Sequence, residues 1–423
     1  MNDRLASRPN RRTFLKSLGL LTGGLAFDQI PLLARPVSSR TALPSIGLLV
    51  PETASCPNLG RNLADGLKLA LTQSVPGRAG EPALFTAPYG SSPMAAAEEA
   101  RRLVDAHNVD LLVGVMNPAI AARLDRFLES KDRILLVADP GANIVRSSEH
   151  SGRIFYASLG YWQSGYAAGQ WMVRNAGRRA FVASSFYESG FDALHAFRLG
   201  AESAGGEVAG SHISHVPPDP ADMRRTMEMI GEVRPDFVYA VYSGSEAVDF
   251  VGAYAGSPSV RTIPLAGSAF LADQLDLRSA GRLSDGIRSC GCWSESIPGE
   301  ENSSFMDSYR ASTGRAADAF SLLGYESGLL IADAAGRSAG SLFSTLPDAL
   351  RHAGITGPRG RVQMDPVTQV ASGPLIVHET RWTGTRRSES ILATIPPAGT
   401  RDAIIDAWRQ ETRTGWLNPY LCV

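Results

Sequence analysis

Short apolar runs alternate with amphipathic stretches along the chain, beginning at Ser45. The run SIGLLVP (45–51) has the length and composition of a buried strand. The next stretch, LGRNLADGLKLAL (59–71), repeats leucine at every fourth position, as one face of a helix does. The alternation continues in two blocks, one ending at Ser158 and the other near residue 267. Because strands that alternate with helices assemble into parallel sheets, the pattern predicts an α/β fold with two doubly wound parallel-sheet lobes.

The same runs predict the bounds of most elements. In the first block we expect strands at 45–51, 83–87, 110–115, 133–138 and 152–158, and helices at 59–71, from Ser92 onward and near 118–130. In the second block we expect strands at 179–185, 207–213, 236–242 and 262–267, and helices at 163–175, 190–204, 220–232 and 244–255. A strand at 286–293, helices at 299–313 and 317–337, and the apolar run 373–379 follow, and the tail beyond Trp382 has no assigned fold.

The first 40 residues have the layout of a targeting segment. A basic stretch precedes a weakly apolar, glycine-interrupted run at 18–27, which is shorter than the roughly 20 residues that a membrane span needs. Residues 11–16 (RRTFLK) resemble the core of a twin-arginine signal, and a disordered basic tail is the alternative. We therefore expect a signal peptide over 1–40, export by the twin-arginine (Tat) translocase, and cleavage between Ala34 and Leu43 to give a soluble periplasmic protein.

The charge balance argues against nucleic acid as a partner. The chain has 41 lysines and arginines and 42 acidic residues, and without residues 1–40 its net charge is −6. The three lysines, Lys16, Lys68 and Lys131, argue against a Schiff-base or phosphate-loop lysine.

Motifs for catalysis or metal binding are scarce. We find neither HExxH nor GxxxxGK[ST], and we expect no serine-nucleophile elbow. His212 and His215 are three apart on a predicted strand and should face opposite sides. The spacing of the four cysteines (Cys56, Cys290, Cys292 and Cys422) leaves their pairing open, and a bridge within the CGC sequence would be strained. We therefore expect no metal and no cofactor.

Polar and aromatic residues cluster where the predicted strands end. These loops are MNPA (116–119), DPGAN (139–143), GYWQS (160–164), SSFYES (184–189), YSGSE (242–246) and GSAF (267–270). In doubly wound sheets the loops at the carboxyl ends of the strands form the ligand crevice. The sequence therefore predicts a binding cleft between the two lobes.

Four stretches resemble the type I periplasmic solute-binding proteins of the branched-chain amino acid (Leu/Ile/Val-binding) transport family. They are IGLLVPETASCPNLGRNLADGLKLAL, LLVGVMNPAIAARLDRFLESKDRILLVADPGAN, DFVYAVYSGSEAVDFVGAYAGSPSVRTIPLAGS and FMDSYRASTGRAADAFSLLGYESGLLIADA. The resemblance covers nearly all of 45–380. It implies two lobes joined by three crossings near 157–161, 283–287 and 366–373, with lobe 1 at 43–158 plus 287–366 and lobe 2 at 159–286 plus 367–423, including the C-terminal tail.

The resemblance also implies which residues contact the ligand. Carried onto this sequence, the contacts are Asn117, Pro118, Ala119, Gly141, Ala142, Asn143, Tyr161, Trp162, Tyr187, Tyr242, Ser243, Ser268 and Phe270. The family's amino-acid binders have a carboxylate for the ligand ammonium just after the strand that corresponds to PLAG, where this chain has Ser268, Ala269 and Phe270. An α-amino acid is therefore a less favoured ligand than the family alone would suggest.

From these observations we expect a binding protein and not an enzyme. It would be a monomer that captures one small molecule by hinge closure and delivers it to an inner-membrane ABC permease. Six rings at the cleft loops favour an aromatic or apolar organic acid or amide, with branched-chain amino acids next. These rings are Tyr161, Trp162, Phe186, Tyr187, Tyr242 and Phe270. The alternative for the rings is that they belong to the core of a lobe. The alternatives for the function are a ligand sensor subunit of a signalling system, or a hydrolase or lyase with Asp139 or Glu188 as a base.

Overall fold

Five parallel strands form the sheet of the first lobe. A computed structural model of the chain describes residues 43–51, 58–74, 83–90, 92–114, 118–143, 152–190, 192–215, 220–269, 271, 281–338 and 342–397. The strands are β1 (Ile46–Val50), β2 (Leu84–Pro88), β3 (Leu111–Gly114), β4 (Ile134–Asp139) and β5 (Ile154–Ser158), in the order β2-β1-β3-β4-β5. Between them run helices α1 (Leu59–Gln73), α2 (Pro93–His107) and α3 (Pro118–Lys131). The predicted spans of these elements are confirmed to within about two residues, and the predicted signal peptide lies outside the described residues.

The second lobe is built around a seven-stranded sheet. Its parallel strands are β6 (Arg179–Ser185), β7 (Glu207–Ser214), β8 (Phe237–Val241), β9 (Leu265–Gly267) and β10 (Arg288–Gly291). Helices α4 (Tyr161–Asn175), α5 (Asp192–Ser203), α6 (Pro220–Val233) and α7 (Gly244–Gly256) cover its faces. On the far side of β10 the antiparallel hairpin β14 (Leu375–Thr383) and β15 (Arg386–Ile395) completes the order β15-β14-β10-β9-β8-β6-β7.

After β10 the chain returns to the first lobe. Helices α8 (Glu300–Thr313), α9 (Ala319–Arg337) and α10 (Leu342–Arg351) are followed by a small antiparallel sheet of β11 (Gly354–Gly357), β12 (Gly360–Met364) and β13 (Ala371–Ser372). Helix α9 packs along α1, and a bridge from Tyr156 to Val370 joins the small sheet to β5. None of the helices within the described ranges combines the length and the apolar composition that a membrane crossing requires.

Two of the expected lobe boundaries are wrong. The division at residue 287 would place β10 in the first lobe, but Arg288 and Ser289 pair with β9, and the whole strand pairs with β14. The second crossing therefore lies between Gly291 and Glu300 and not at 283–287. The division at 367 would place β13 in the second lobe, but this strand pairs with β12, so the third crossing lies at 373–374. The tail beyond Trp382, which had no assigned fold, forms β15 as far as Ile395, and 398–423 lie outside the described residues.

Glycine lets α1 and α9 approach each other closely. A Cβ on Gly66 would stand 2.0 Å from the Ser321 carbonyl oxygen, and a Cβ on Gly324 would stand 2.0 Å from the Leu63 carbonyl oxygen. The two glycines therefore form reciprocal contacts with the facing backbone. Asp318 fixes the start of α9, because its side chain accepts from Ser321 N–H while the Ser321 hydroxyl lies 2.7 Å from Asp318 N.

Substituting either contact glycine should separate these helices. We expect Gly66→Ala or Gly324→Ala to lower the free energy of unfolding by about 1–3 kcal/mol, because backbone atoms cannot move aside as a flexible side chain can. The matched control is Gly336→Ala on the same helix, where a Cβ meets nothing within 4 Å. This change should be neutral or stabilising by up to ~1 kcal/mol. Equal effects of all three substitutions in denaturant titrations would refute the close packing.

A buried ion pair lies where the three crossings meet. Arg359, in the turn between β11 and β12, bonds through Nε to both carboxylate oxygens of Glu326 at 2.9 and 3.0 Å, and both side chains are 2% exposed. Its Nη2 also donates to the Ser158 carbonyl at 2.9 Å, at the first crossing. Cys292 of the second crossing contacts the guanidinium, and a Cβ on Gly373 of the third would stand 3.4 Å from Nε. Burial opposes the charge, but Glu326 raises the pKa of Arg359 above its usual value.

Removing one partner of this pair should be costly. We expect Arg359→Met to lower the free energy of unfolding by about 3–5 kcal/mol, because Glu326 would remain buried without its cation. The double variant with Glu326→Leu should recover part of that loss. The control is Arg337→Ala, which breaks a 2.9 Å pair with Asp333 on the surface and should cost at most ~1 kcal/mol. If Arg359→Met costs no more than this control, the pair does not hold the crossings together.

Candidate functional site

Asp139 ends strand β4, at the edge of the first sheet where the parallel strands have their carboxyl ends. Its Oδ1 accepts a 2.8 Å hydrogen bond from Gly141 N–H, and its Oδ2 has no hydrogen-bond partner among the described residues. Burial raises the pKa of this carboxyl to about 7, although the Gly141 N–H opposes the shift. Gly141 has a φ of +79°, and a Cβ there would stand 2.3 Å from Ser158 Oγ, so the turn requires glycine.

The loop that follows β4 binds the first residues of two helices of the second lobe. The Gly141 carbonyl accepts a 2.8 Å hydrogen bond from Trp162 N–H in α4, and the Ala142 carbonyl accepts from the second residue of α5 at 3.1 Å. Asn143 Oδ1 accepts from the first residue of α5 at 3.4 Å. Ala142 also packs with the Tyr161 and Trp162 rings in one buried cluster. The structure thus brings together five of the predicted site residues, three from the first lobe and two from the second.

Four polar side chains meet at the carboxyl ends of β6, β8 and β9. Ser243 Oγ donates a 2.6 Å hydrogen bond to Glu188 Oε1, and the Tyr161 hydroxyl lies next to Glu188 and Ser268. All four side chains are at most 3% exposed. Burial raises the pKa of Glu188 to about 7. The nearby Glu246 carboxylate also raises this pKa, whereas the hydrogen bond from Ser243 lowers it. Three predicted site residues therefore surround a carboxyl that is not fully ionised near neutral pH.

The ring of Tyr242 does not belong to the cleft. Strand β8 alternates its side chains between the two faces of the sheet, and this alternation points Tyr242 toward α6 and α7. The ring is fully buried there and stacks on Phe250 with centroids 4.6 Å apart and an interplanar angle of 18°. The prediction that this residue lines the cleft is wrong, and the alternative that its ring belongs to the lobe core is correct.

The remaining predicted contacts are described only in part. Tyr187 is half-buried and meets the exposed Phe186 edge to face, with centroids 6.2 Å apart. Pro118 and Ala119 begin helix α3, but their side chains lie outside the description, as do Asn117 and Phe270 entirely.

The sequence pattern indicates Asp139 and Glu188 only as catalytic bases of the hydrolase or lyase alternative. The signal for a role in binding is their place at or just after the ends of buried strands. The spacing GxSxG does occur once, at 336–340, but its Ser338 caps the end of helix α9 and is not on the strand-to-helix turn of a nucleophile elbow.

The histidine and cysteine pairs form no joint site. His215 Nδ1 lies 2.9 Å from Asp222, and His212 Nδ1 lies 2.9 Å from Thr226. Within the described ranges no group of three His, Cys, Asp or Glu side chains could hold a metal ion. Cys290 and Cys292 are buried and not joined in a disulfide, and Cys56 and Cys422 lie outside the described residues.

The sequence match extends over both lobes and the crossings between them. Residues 44–385 match a family described as periplasmic binding protein. The chain belongs to this family. A search of curated proteins finds no match to the sequence.

Solved structures of other periplasmic binding proteins have the same fold. An ABC transporter substrate-binding protein from Sphaerobacter thermophilus superposes with a TM-score of 0.75 at 23% identity, covering 83% of this chain and 97% of the other. A solute-binding protein of an ABC transporter from R. palustris, in complex with benzoate, gives a TM-score of 0.70 at 24% identity and covers 84% and 97%. A leucine-, isoleucine-, valine-, threonine- and alanine-binding protein from Brucella ovis, in a closed conformation, gives 0.70 at 18% identity and covers 84% and 96%. At these identities the similarity establishes the fold alone.

The two raised carboxyl pKa values should give this binding protein a measurable dependence of stability on pH. Because the folded state holds both protons more tightly than the unfolded chain, their contribution is fully present below about pH 4 and is lost as the pH rises through about 7. We therefore expect Asp139→Asn or Glu188→Gln to raise the free energy of unfolding at about pH 8 by on the order of 1–3 kcal/mol. The gain should shrink as the pH falls. A difference in the free energy of unfolding between variant and wild type that is the same at every pH would contradict the assigned protonation.

Proposed function

We propose that the protein is the periplasmic substrate-binding component of an ABC transporter and that it captures a small organic solute between its lobes by hinge closure. The observation that carries this proposal is the polar site at the junction of the lobes, with Asp139 and Gly141 from one side and Tyr161 and Glu188 from the other. Ligands that bind the closed form more tightly than the open form would shift the population toward closure.

The favoured ligand is a small aromatic or otherwise apolar organic acid or amide, and branched-chain amino acids come next. Tyr161 and Trp162 lie beside the first-lobe loop and offer apolar area to such a body. The solved relatives support both classes, because proteins from R. palustris were crystallised with benzoate and with 4-hydroxybenzoate, and the Brucella ovis protein is named for amino acids. The Ser268 position, which lacks the carboxylate of the family's amino-acid binders, places the amino acids second.

The chain would reach the periplasm through the Tat translocase, lose residues 1–40 and act as a monomer beside an inner-membrane ABC permease. RRTFLK at 11–16 supports this route. A sensor subunit has the same fold, and pull-down of a kinase-linked receptor in place of a permease would favour that alternative.

The test of the ligand class is a thermal-shift and calorimetry screen of the chain from residue 41 onward. A compound at 100 times its Kd should stabilise the protein by about 2.7 kcal/mol. We expect aromatic acids to give larger shifts than leucine, isoleucine and valine, and the reverse order would overturn the preference. Trp162→Phe should weaken the best compound by ~5- to 20-fold, whereas the control Trp171→Phe, on the same helix but packed near Arg288, should not.

Small-angle scattering with and without the best compound tests closure. The radius of gyration should fall when a tight ligand is added, and an unchanged radius would contradict hinge closure. The buried, proton-holding carboxyls of Asp139 and Glu188 also fit a general base. Steady conversion of a bound compound would therefore favour the hydrolase or lyase alternative.

A further inference from the structure

Glu188 has a buried carboxyl group whose two oxygens differ in their hydrogen bonding. The side chain is 1% exposed and Oε1 accepts the hydrogen bond from Ser243, whereas Oε2 accepts no hydrogen bond of good geometry from the described residues, although the Tyr161 hydroxyl lies close enough to lower the pKa of the carboxyl. No arginine or lysine of the described chain forms an ion pair with it. An unsatisfied carboxylate oxygen away from water is costly, so a native structure retains one only where something offsets the cost.

The local backbone does not offset the cost of this unsatisfied oxygen. Glu188 lies in a three-residue 3-10 turn, Glu188–Gly190, which is too short to have a useful dipole. Glu246, the other acid nearby with an unpartnered oxygen, is in the first turn of α7, where a carboxylate is favoured by the helix dipole. Ser243 is the N-cap of that helix, yet its hydroxyl does not cap and instead donates to Glu188. The Ser243 hydroxyl thus holds Glu188 in place and does not cap the N-terminus of α7.

Glu188 lies close to the junction of the two lobes. It follows β6, Ser243 follows β8, and Ser268, which follows β9, lies with Glu188 beside the Tyr161 hydroxyl. Tyr161 in turn packs with Ala142 of the first-lobe loop.

We propose that Glu188 Oε2 accepts a hydrogen bond from the ligand, so that the solute has a donor group, a hydroxyl or a protonated amine, on its apolar or aromatic body. This inference rests on the proposed function and narrows it. Ser243 and Tyr161 position the carboxyl, and the ligand's donor satisfies the oxygen that the protein leaves without a partner. A solute with an apolar end in place of the donor would leave this oxygen buried and unsatisfied.

The test compares benzoate, 4-hydroxybenzoate and 4-(aminomethyl)benzoate by calorimetry on the chain from residue 41 onward, at about pH 8, where the Glu188 carboxyl with its pKa of about 7 is mostly ionised. We expect wild type to bind at least one donor-bearing probe ~10- to 100-fold more tightly than benzoate, the range typical of a hydrogen bond to a charged group. Glu188→Met removes the acceptor and should abolish the preference, so that the donor-bearing probes bind this variant no more tightly than benzoate does. Glu188→Gln keeps an acceptor oxygen without the charge. It should preserve a preference for the hydroxyl and abolish one for the ammonium, which tells the two donors apart.

The control is Glu246→Gln, which neutralises a buried acid of the same lobe and should keep the wild-type preference. Unfolding temperatures monitor the fold, and Glu188→Met should be at least as stable as wild type because it removes an unsatisfied buried group. Benzoate binding as tightly as both donor-bearing probes, or a preference that survives in Glu188→Met, would overturn the inference and leave the proposed function standing. If wild type binds none of the three, the proposed aromatic-acid class fails, and the inference fails with it.

Discussion

The buried ion pair between Glu326 and Arg359 is the interaction on which the two-lobed arrangement depends. Its guanidinium bonds to the Ser158 carbonyl of the first crossing, contacts Cys292 of the second and lies close to Gly373 of the third. Its carboxylate comes from α9 of the first lobe. A buried charge pair often adds little net stability compared with an apolar core, but it tolerates very few geometries. Placing such a pair where three chain segments run side by side therefore fixes their spacing more strictly than apolar packing would.

The loop after β4 determines how the lobes can move relative to this point. Its carbonyls at Gly141 and Ala142 satisfy N–H groups at the starts of α4 and α5, and each such bond contributes only about 0.5–1.5 kcal/mol net. Separation of the lobes must either break these bonds or carry the loop with the second lobe. Gly141, two residues after Asp139, has a positive φ and no Cβ, and it gives the backbone the freedom that the second course needs. The binding free energy of a solute is large enough to offset the cost of either course.

Sequence periodicity predicted the parallel sheets well, because buried strands such as β4 and leucine-faced helices such as α1 have distinct patterns. It failed for β10, whose CGC sequence gave no sign of which lobe it would join, since lobe membership is decided by pairing with β9 and β14. It also failed for Tyr242, where one residue of alternation decides between cleft and core. The role of Glu188 could not be predicted, because an unsatisfied oxygen is a property of three-dimensional surroundings.

The two raised carboxyls suggest how ligand binding and closure are coupled. Asp139 and Glu188 come from opposite lobes, and burial is the main reason that each holds its proton to about pH 7. Parting of the lobes would hydrate both groups and favour their ionised forms, so an empty cleft is electrostatically biased against closure at neutral pH. A solute that donates a hydrogen bond to Glu188 replaces the water lost at that carboxyl and lessens the bias, whereas a solute without a donor does not. On this account the same carboxyl selects the ligand and makes closure depend on the ligand being present.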